Sequence, residues 1–557
     1  MSKSNKLPRV SKPTKQNAFA LLSCFALSST IITALNAEPI QNPINTITQS
    51  SHDIEAEQAL ESSQATNYDE NTTNSEIQNK NSDTAKQNNE TNQTSKKPTS
   101  IIQKEGFRFY YTGWVESFSK IGFNNQTIDT NLGKYPTDSF SAMVGSFGLV
   151  GEYDKGIQNL NFGLSITAGG LVYDSSHREY PGGEKSVMNE YIGMWEGYDS
   201  QGKSHIKRHY YVVNNAYLDY GFSFGSGKGQ GFYFKGGRYE SKAQYMSGYT
   251  QGFELGLKTR NLDLWWFSSY GRAFAYGQWL VDFYSPRGYY EKDSAGNNVG
   301  SFKNNGIHAF KATYSIGRLD ISPQVYFSIG TYTAPIIELV YDTNRDFSTK
   351  GFRSQTTLHF MNPLHNSRVV NDSTYRYGDL VAKSTQTLYL KQRFDFNEYN
   401  FGLGLYKNFG NANAYIGTIG NPIMLDLWTT SAYDLGRNIS DMISKNAITP
   451  FVFIGGKHFD NKFSWNLIGR YTDSARSEEG SIAGAFSYVF GGGLSVGVKV
   501  EWLTDTTKAG YRVGSNGNGS INGVKEPNSN GNEQSIKSTP KRTDDRSHSF
   551  VWVRYEF

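Results

Sequence analysis

Lys391, Arg393 and Asp395 stand two residues apart in the segment TLYLKQRFDF (387–396). On an extended chain successive side chains point to opposite faces, so these three charges share a face and Leu388 and Leu390 take the other. The chemistry open to such a row is electrostatic. Fixed cations along a wall attract carboxylates or phosphates, and low-dielectric surroundings focus their field. The same parity gathers Arg108, Lys235, Lys311, Arg470, Lys499 and Arg554, together with Lys258 and Arg260, which have Glu254 beside them. Asp219, Asp263, Asp320, Glu501 and Glu556 fall on that face too. Two readings stay open: a basic track that guides anions, or a solvated face whose charges pair with one another.

Other chemistry finds little support. GSGKGQG (225–231) lacks the hydroxyl residue a phosphate loop needs, because Lys228 is followed by Gly229. His205 and His209 would form a metal pair only on a helix, and the surrounding IKRHYYVV reads as strand entry. No Ser/His/Asp arrangement stands out, and the sole cysteine, Cys24, lies in an N-terminal apolar run. Neither an enzyme nor a cofactor or metal site is expected.

The elements that must carry these charges are strands. Aromatics make up 15% of the 557 residues and glycine numbers 57, a mixture that favours strand and turn over helix. In LNFGLSITAG (160–169) Leu160, Phe162, Leu164, Ile166 and Ala168 share one face, and Asn161, Gly163, Ser165 and Thr167 the other. The alternation recurs in FELGLKT (253–259), LDISPQVYFSIG (319–330), NFGLGLYKNFG (400–410), FSWNLIGRY (463–471) and LSVGVKVEWL (494–503). Each segment is about ten residues, the length of a tilted strand across a bilayer. The mean hydropathy of −0.56 and the lack of a long apolar run beyond the N-terminus exclude a helical membrane protein. Tight turns such as KGIQN and Arg260-Asn261 alternate with long polar loops at about 172–208, 272–305, 421–448 and 504–547. That asymmetry is expected of an all-β transmembrane antiparallel barrel of about eighteen strands. The stretch 331–384, with FRSQTTLHF and a long connection, resists this count and leaves sixteen possible. A secreted sandwich or solenoid fits less well, because the second face is Gly, Ser, Asn, Thr and charge. Aromatic flanks such as LWWFSSYG (264–271) suit the two membrane interfaces.

The N-terminus has its own pattern. Five bases up to Lys15 precede AFALLSCFALSSTIITAL, and a cut after Ala37 would release a signal peptide over residues 1–37. Residues 38–105 hold eleven acids against five bases and almost no aromatics, as expected of a disordered periplasmic leader that makes no barrel contacts. The barrel itself is expected over 106–557, where forty-five bases face forty acids. Loop 421–448 could fold into the pore with Asp426, Asp434, Arg437 and Asp441 facing solute, and SKAQYMSGYTQG (241–252) is a second constriction candidate. The chain closes on SHSFVWVRYEF, where Val551, Val553, Tyr555 and Phe557 alternate with charged and polar residues.

Three long segments carry a resemblance: GRYESKAQYMSGYTQGFELG (237–256), SSYGRAFAYGQWLVDFYSP (268–286) and GNANAYIGTIGNPIMLDLW (410–428). Through them the chain resembles the Hof-type outer membrane proteins of Helicobacter, a family similar to OprD-like porins. The resemblance implies a monomeric channel for small hydrophilic, carboxylate-bearing solutes, set among outer-membrane lipid and lipopolysaccharide, with no nucleic-acid partner. It also implies that the closing strand ending at Phe557 is the signal read by barrel-assembly machinery. The alternative function is a barrel whose loops 504–547 and 272–305 act as an adhesin or host-contact surface.

Overall fold

The computed structural model describes residues 100–124, 137–175, 178–180, 183–185, 191–198, 204–224, 230–246, 248–286, 288–292, 298–366, 382–410, 442, 445–475, 477–509, 526–527, 533–534 and 541–557. Eighteen strands form one wall. The first six are β1 (Phe107–Gly122), β2 (Phe140–Asp154), β3 (Gln158–Asp174), β4 (Tyr211–Ser223), β5 (Gly231–Ser241) and β6 (Gly248–Lys258). The next six are β7 (Leu262–Tyr276), β8 (Ile307–Ile316), β9 (Leu319–Ser328), β10 (Tyr332–Asp342), β11 (Phe352–Met361) and β12 (Gln386–Phe396). The last six are β13 (Tyr399–Phe409), β14 (Ile448–His458), β15 (Phe463–Asp473), β16 (Ser477–Val489), β17 (Leu494–Thr507) and β18 (His548–Glu556). Each strand pairs antiparallel with the next, and β18 returns to β1 over Trp114↔Glu556 to Gly122↔His548. The sheet is therefore closed with the eighteen strands expected, and the alternative of sixteen falls away.

Stretch 331–384 holds two full strands, β10 and β11. Their connection, 343–351, is nine residues where a tight turn was expected. It is held by Arg345 Nη2 donating to Asp320 at 2.8 Å and by the amide of Asn344 donating to Asp342. This loop lies at the same end as the turns 155–157, 259–261, 317–318, 397–398, 459–462 and 490–493. The loops at the other end include 175–210, 277–306, 362–385, 410–447 and 508–547, though 329–331 and 474–476 there are short.

The alternation sorts the two faces as the strand period demands. Leu164, Ile166, Leu218, Leu390, Leu403, Val452, Ile482 and Val500 are exposed on the outside, where lipid would cover them. Phe222, Phe232, Phe352, Phe396, Tyr399, Phe459 and Tyr488 crowd the tight-turn end of that face as an aromatic belt. Of the adjacent pair in LWWF, only Trp266 joins the outer face, packing on Phe310 and Phe327. Trp265 points inward, where its Nε1 donates to Glu254 at 2.9 Å. Several inward glycines sit opposite an aromatic residue of the neighbouring strand: Gly163 faces Tyr217, Gly256 faces Tyr233, Gly404 faces Phe451 and Gly497 faces Trp552. A Cβ at Gly497 would lie 1.9 Å from the Trp552 ring, so the ring occupies the space over the glycine.

Ser100–Lys104, which composition places in the leader, forms a short strand paired with the start of β1. Barrel structure thus begins before residue 106.

The seam is closed by backbone and ring together. The Phe557 amide donates to the Gly113 carbonyl at 2.9 Å, and the Gly113 amide donates to the Phe557 carbonyl at 3.2 Å. A Cβ at Gly113 would meet the Phe557 ring and the Ser146 carbonyl, both at 2.6 Å. Gly113→Val should therefore overpack the seam and cost about 1–3 kcal/mol, and Phe557→Ala should lower the yield of inserted barrel. Both are read as the fraction of heat-modifiable protein in outer-membrane extracts. Wild-type yield and melting in both variants would show that this contact does not hold the seam.

Candidate functional site

The inner face is a ladder of ion pairs. Charges on the lipid side would cost about 2–4 kcal/mol each near the midplane, so strand parity turns them inward. Near the tight-turn end of β10–β12, Arg353 forms a short, two-pronged pair with Asp342, and Arg393 donates from Nε and Nη2 to Asp395 at 3.0 and 2.6 Å. Arg353 Nη1 also lies 4.0 Å from Asp395, so the four groups form one buried set. Toward the long-loop end of β15–β18, Arg470 Nη1 bonds Glu479 at 3.0 Å and Lys499 Nζ lies 2.9 Å from Glu501. Ser481 donates to Glu501 at 2.6 Å, and His548 Nε2 lies 3.6 Å from the same carboxylate. Arg554 bridges the seam to Glu116 at 3.2 Å and also bonds Glu556.

The remaining expected wall residues fall into the same scheme. Arg108 pairs with Glu152 at 2.8 Å. Lys235 lies between its cross-strand neighbours Asp219 and Glu254, with Nζ over the Tyr217 and Tyr239 rings. Lys258 sits opposite Asp263, and Asp320 accepts from Ser315 and Arg345. Lys391 is half-buried opposite Thr357 and Gly404. Arg260 departs from the set: it is exposed in the turn 259–261, beyond the end of β6, and lies at the mouth rather than on the wall. Asp426, Asp434, Arg437 and Asp441 lie outside the described residues. Met442, the residue after them, is buried, and its carbonyl accepts from Asn408 Nδ2 at 2.9 Å.

Two other segments fold against the inner wall. The first is 242–246, within the second candidate constriction. Ala243, Tyr245 and Met246 pack with Phe267, Ile307, Ala309, Tyr326 and Ile336. A polar latch holds them: Tyr245 Oη meets His359 Nε2 at 2.7 Å, and His359 Nδ1 lies 3.3 Å from Glu338. Glu338 also takes Lys311 at 3.2 Å and Gln244 at 3.3 Å. The second is the strand Trp279–Tyr284, which folds back on β7 and runs parallel to Ile192–Tyr198. Its Trp279, Leu280 and Val281 share a cluster with Phe118, Phe140, Phe550 and Trp552, so apolar packing bridges from β7 to the seam strands β18 and β1.

Sequence reading passed over Arg353, Glu338, His359 and the Trp279–Tyr284 strand. For Arg353 and His359 the signal was present, because FRSQTTLHF alternates Arg353, Gln355, Thr357 and His359 against its other residues. The inward strand had none, since its apolar residues meet protein on both sides.

Residues 98–557 match the family model described as "Putative outer membrane protein". The chain belongs to this family. No protein of curated function matches the sequence. Among solved structures, OccAB4 of Acinetobacter baumannii is 10% identical with a TM-score of 0.47, over 84% of this chain and 100% of that one. OccK3 (OpdO) of Pseudomonas aeruginosa is 10% identical with a TM-score of 0.49, over 81% and 95%. OpdQ of the same organism is 11% identical with a TM-score of 0.48, over 81% and 98%. Family membership places the protein in the bacterial outer membrane, as its aromatic belt and apolar outer face require.

The latch makes a local prediction for this outer membrane protein. His359→Ala removes the 2.7 Å partner of the buried Tyr245 hydroxyl, a loss of about 1–3 kcal/mol. The segment 242–246 should then open more often, and the Met246 amide, which donates to Ala243 at 3.1 Å, should exchange roughly tenfold faster or more. Unchanged exchange would mean that apolar packing alone holds the segment.

Proposed function

We propose that the protein is an outer-membrane porin that passes small hydrophilic solutes by passive diffusion. The observation that carries this reading is the opposition of faces on one closed eighteen-strand wall: apolar outside, and inside lined by paired charges of both signs. A wall that keeps charge inward in a lipid-embedded barrel is suited to water and polar solutes. One chain closes the barrel, which supports a monomer, and assembly would use the barrel-assembly machinery through the Val551, Val553, Tyr555 and Phe557 face. No cofactor is needed for diffusion. Carboxylate-bearing solutes are the finer proposal, supported by the excess of bases over acids in 106–557.

Purified protein in a planar bilayer should give stepwise ohmic conductance, and a silent membrane would overturn the porin reading. For selectivity, Lys391→Gln with Arg393→Gln should move the reversal potential in a salt gradient toward cations. The shift should be larger at low salt, because at 1 M the screening length is about 3 Å. Lys155→Gln, in an exposed turn, should change it far less. Equal shifts would show that the paired charges do not act on permeating ions.

A further inference from the structure

The seam is the one pair of neighbouring wall strands that are not consecutive in the sequence, so no connection of any length aligns it. β1 and β18 lie at opposite ends of the barrel sequence, and β18 reaches β17 only through the long connection 508–547. Tight turns set register elsewhere, as at 397–398 between β12 and β13. The face pattern cannot replace a turn here. A slip of one residue would turn the apolar set into the lumen and Arg554 and Glu556 to lipid, but a slip of two keeps Val551, Val553 and Tyr555 on the same face.

Ser100–Lys104 borders the place where such a slip would go. Pairing of β18 with β1 stops at Trp114, with Phe557 bonded to Gly113 just beyond. Below that point the same edge of β1 is taken by the short strand, through Ser100↔Tyr110, Ile102↔Phe109, Gln103↔Arg108 and Lys104↔Phe107. Only Tyr111 and Thr112 lie between the two. The short strand is itself aligned by a two-residue hairpin, Glu105-Gly106. Gly106 has φ 72°, and a Cβ there would meet the Asp154 carbonyl at 2.8 Å. Its position on β1 is therefore set locally, before any distant strand arrives.

We propose that Ser100–Lys104 is a register stop, which sets how far β18 can descend along β1 and so fixes the stagger of the closed barrel. A β18 displaced downward by two residues would bring Phe557 opposite Tyr111, against Ser100. With the stop in place, Glu116–Arg554 pairing and the Phe557 ring over Gly113 select the observed register from what remains.

Disulfide trapping tests this, since the only native cysteine is Cys24 in the expected signal peptide. Ser117→Cys with Val553→Cys reports the observed register, in which these residues are directly opposed. Val115→Cys with Val553→Cys reports a strand displaced by two, because in the observed register that pair is diagonal, at about 7–8 Å, too far to bridge. Both pairs are placed in full-length protein, in a deletion of 40–98 that keeps the stop, and in a deletion of 40–104 that removes it. Cross-linking is scored in the heat-modifiable, folded band alone. The displaced-to-observed ratio should stay at background in the first two and rise roughly tenfold in the third, the change that ~1.4 kcal/mol between registers produces. If the longer deletion yields no folded band, Ile102→Pro, which weakens the stop without removing it, decides the matter. Background displaced cross-linking in the folded band of the variant that decides would overturn the proposal.

Discussion

Backbone hydrogen bonding is the constraint on which everything else in this molecule depends. In hydrocarbon an unpaired amide or carbonyl has no water to turn to, so a sheet survives there only without edges. Closing the last strand on the first removes both edges at once, and this is why so much is concentrated at the β18–β1 seam. Its ladder runs from Gly122↔His548 to Trp114↔Glu556, an ion pair crosses it inside at Arg554–Glu116, and an aromatic ring covers a glycine outside at Gly113.

Closure then dictates the electrostatics. Charges cannot face lipid, and inside the barrel many are shielded from bulk water by neighbouring side chains. A buried charge is tolerated when it is paired and hydrogen-bonded. Arg353, Arg393 and Arg470 each meet this condition with a carboxylate of their own, and Lys499 is ion-paired with Glu501. The inner wall carries both signs and is matched by contact, so a permeating ion meets dipoles of close pairs more than isolated charges.

The architecture was legible because a barrel strand obeys one rule, period two, that each segment states independently. Leu164 and Ile166 against Ser165 and Thr167 give the two faces before any partner strand is known. Charge partners were not legible in the same way. Parity put Arg393 and Asp395 on one face, but Arg353 and Asp342 join them only through the β10–β11–β12 register. The interior segments escaped for a different reason: Trp279–Tyr284 carries no alternation because protein surrounds it, and 242–246 is too short to show a period.

The apolar cluster that Trp279 joins has a consequence for the order of events. Phe550 and Trp552 come from β18, Phe118 from β1, and Gly277 lies so near that an added carbon would strike the Glu116 carboxylate at 2.0 Å. The surface that receives the β7 hairpin is therefore completed by closure, because Phe550 and Trp552 join Phe118, Phe140 and Val212 only once β18 has met β1. The β18 side of that packing must follow the sealing of the cylinder, so a half-built barrel lacks part of the filling that the finished one has.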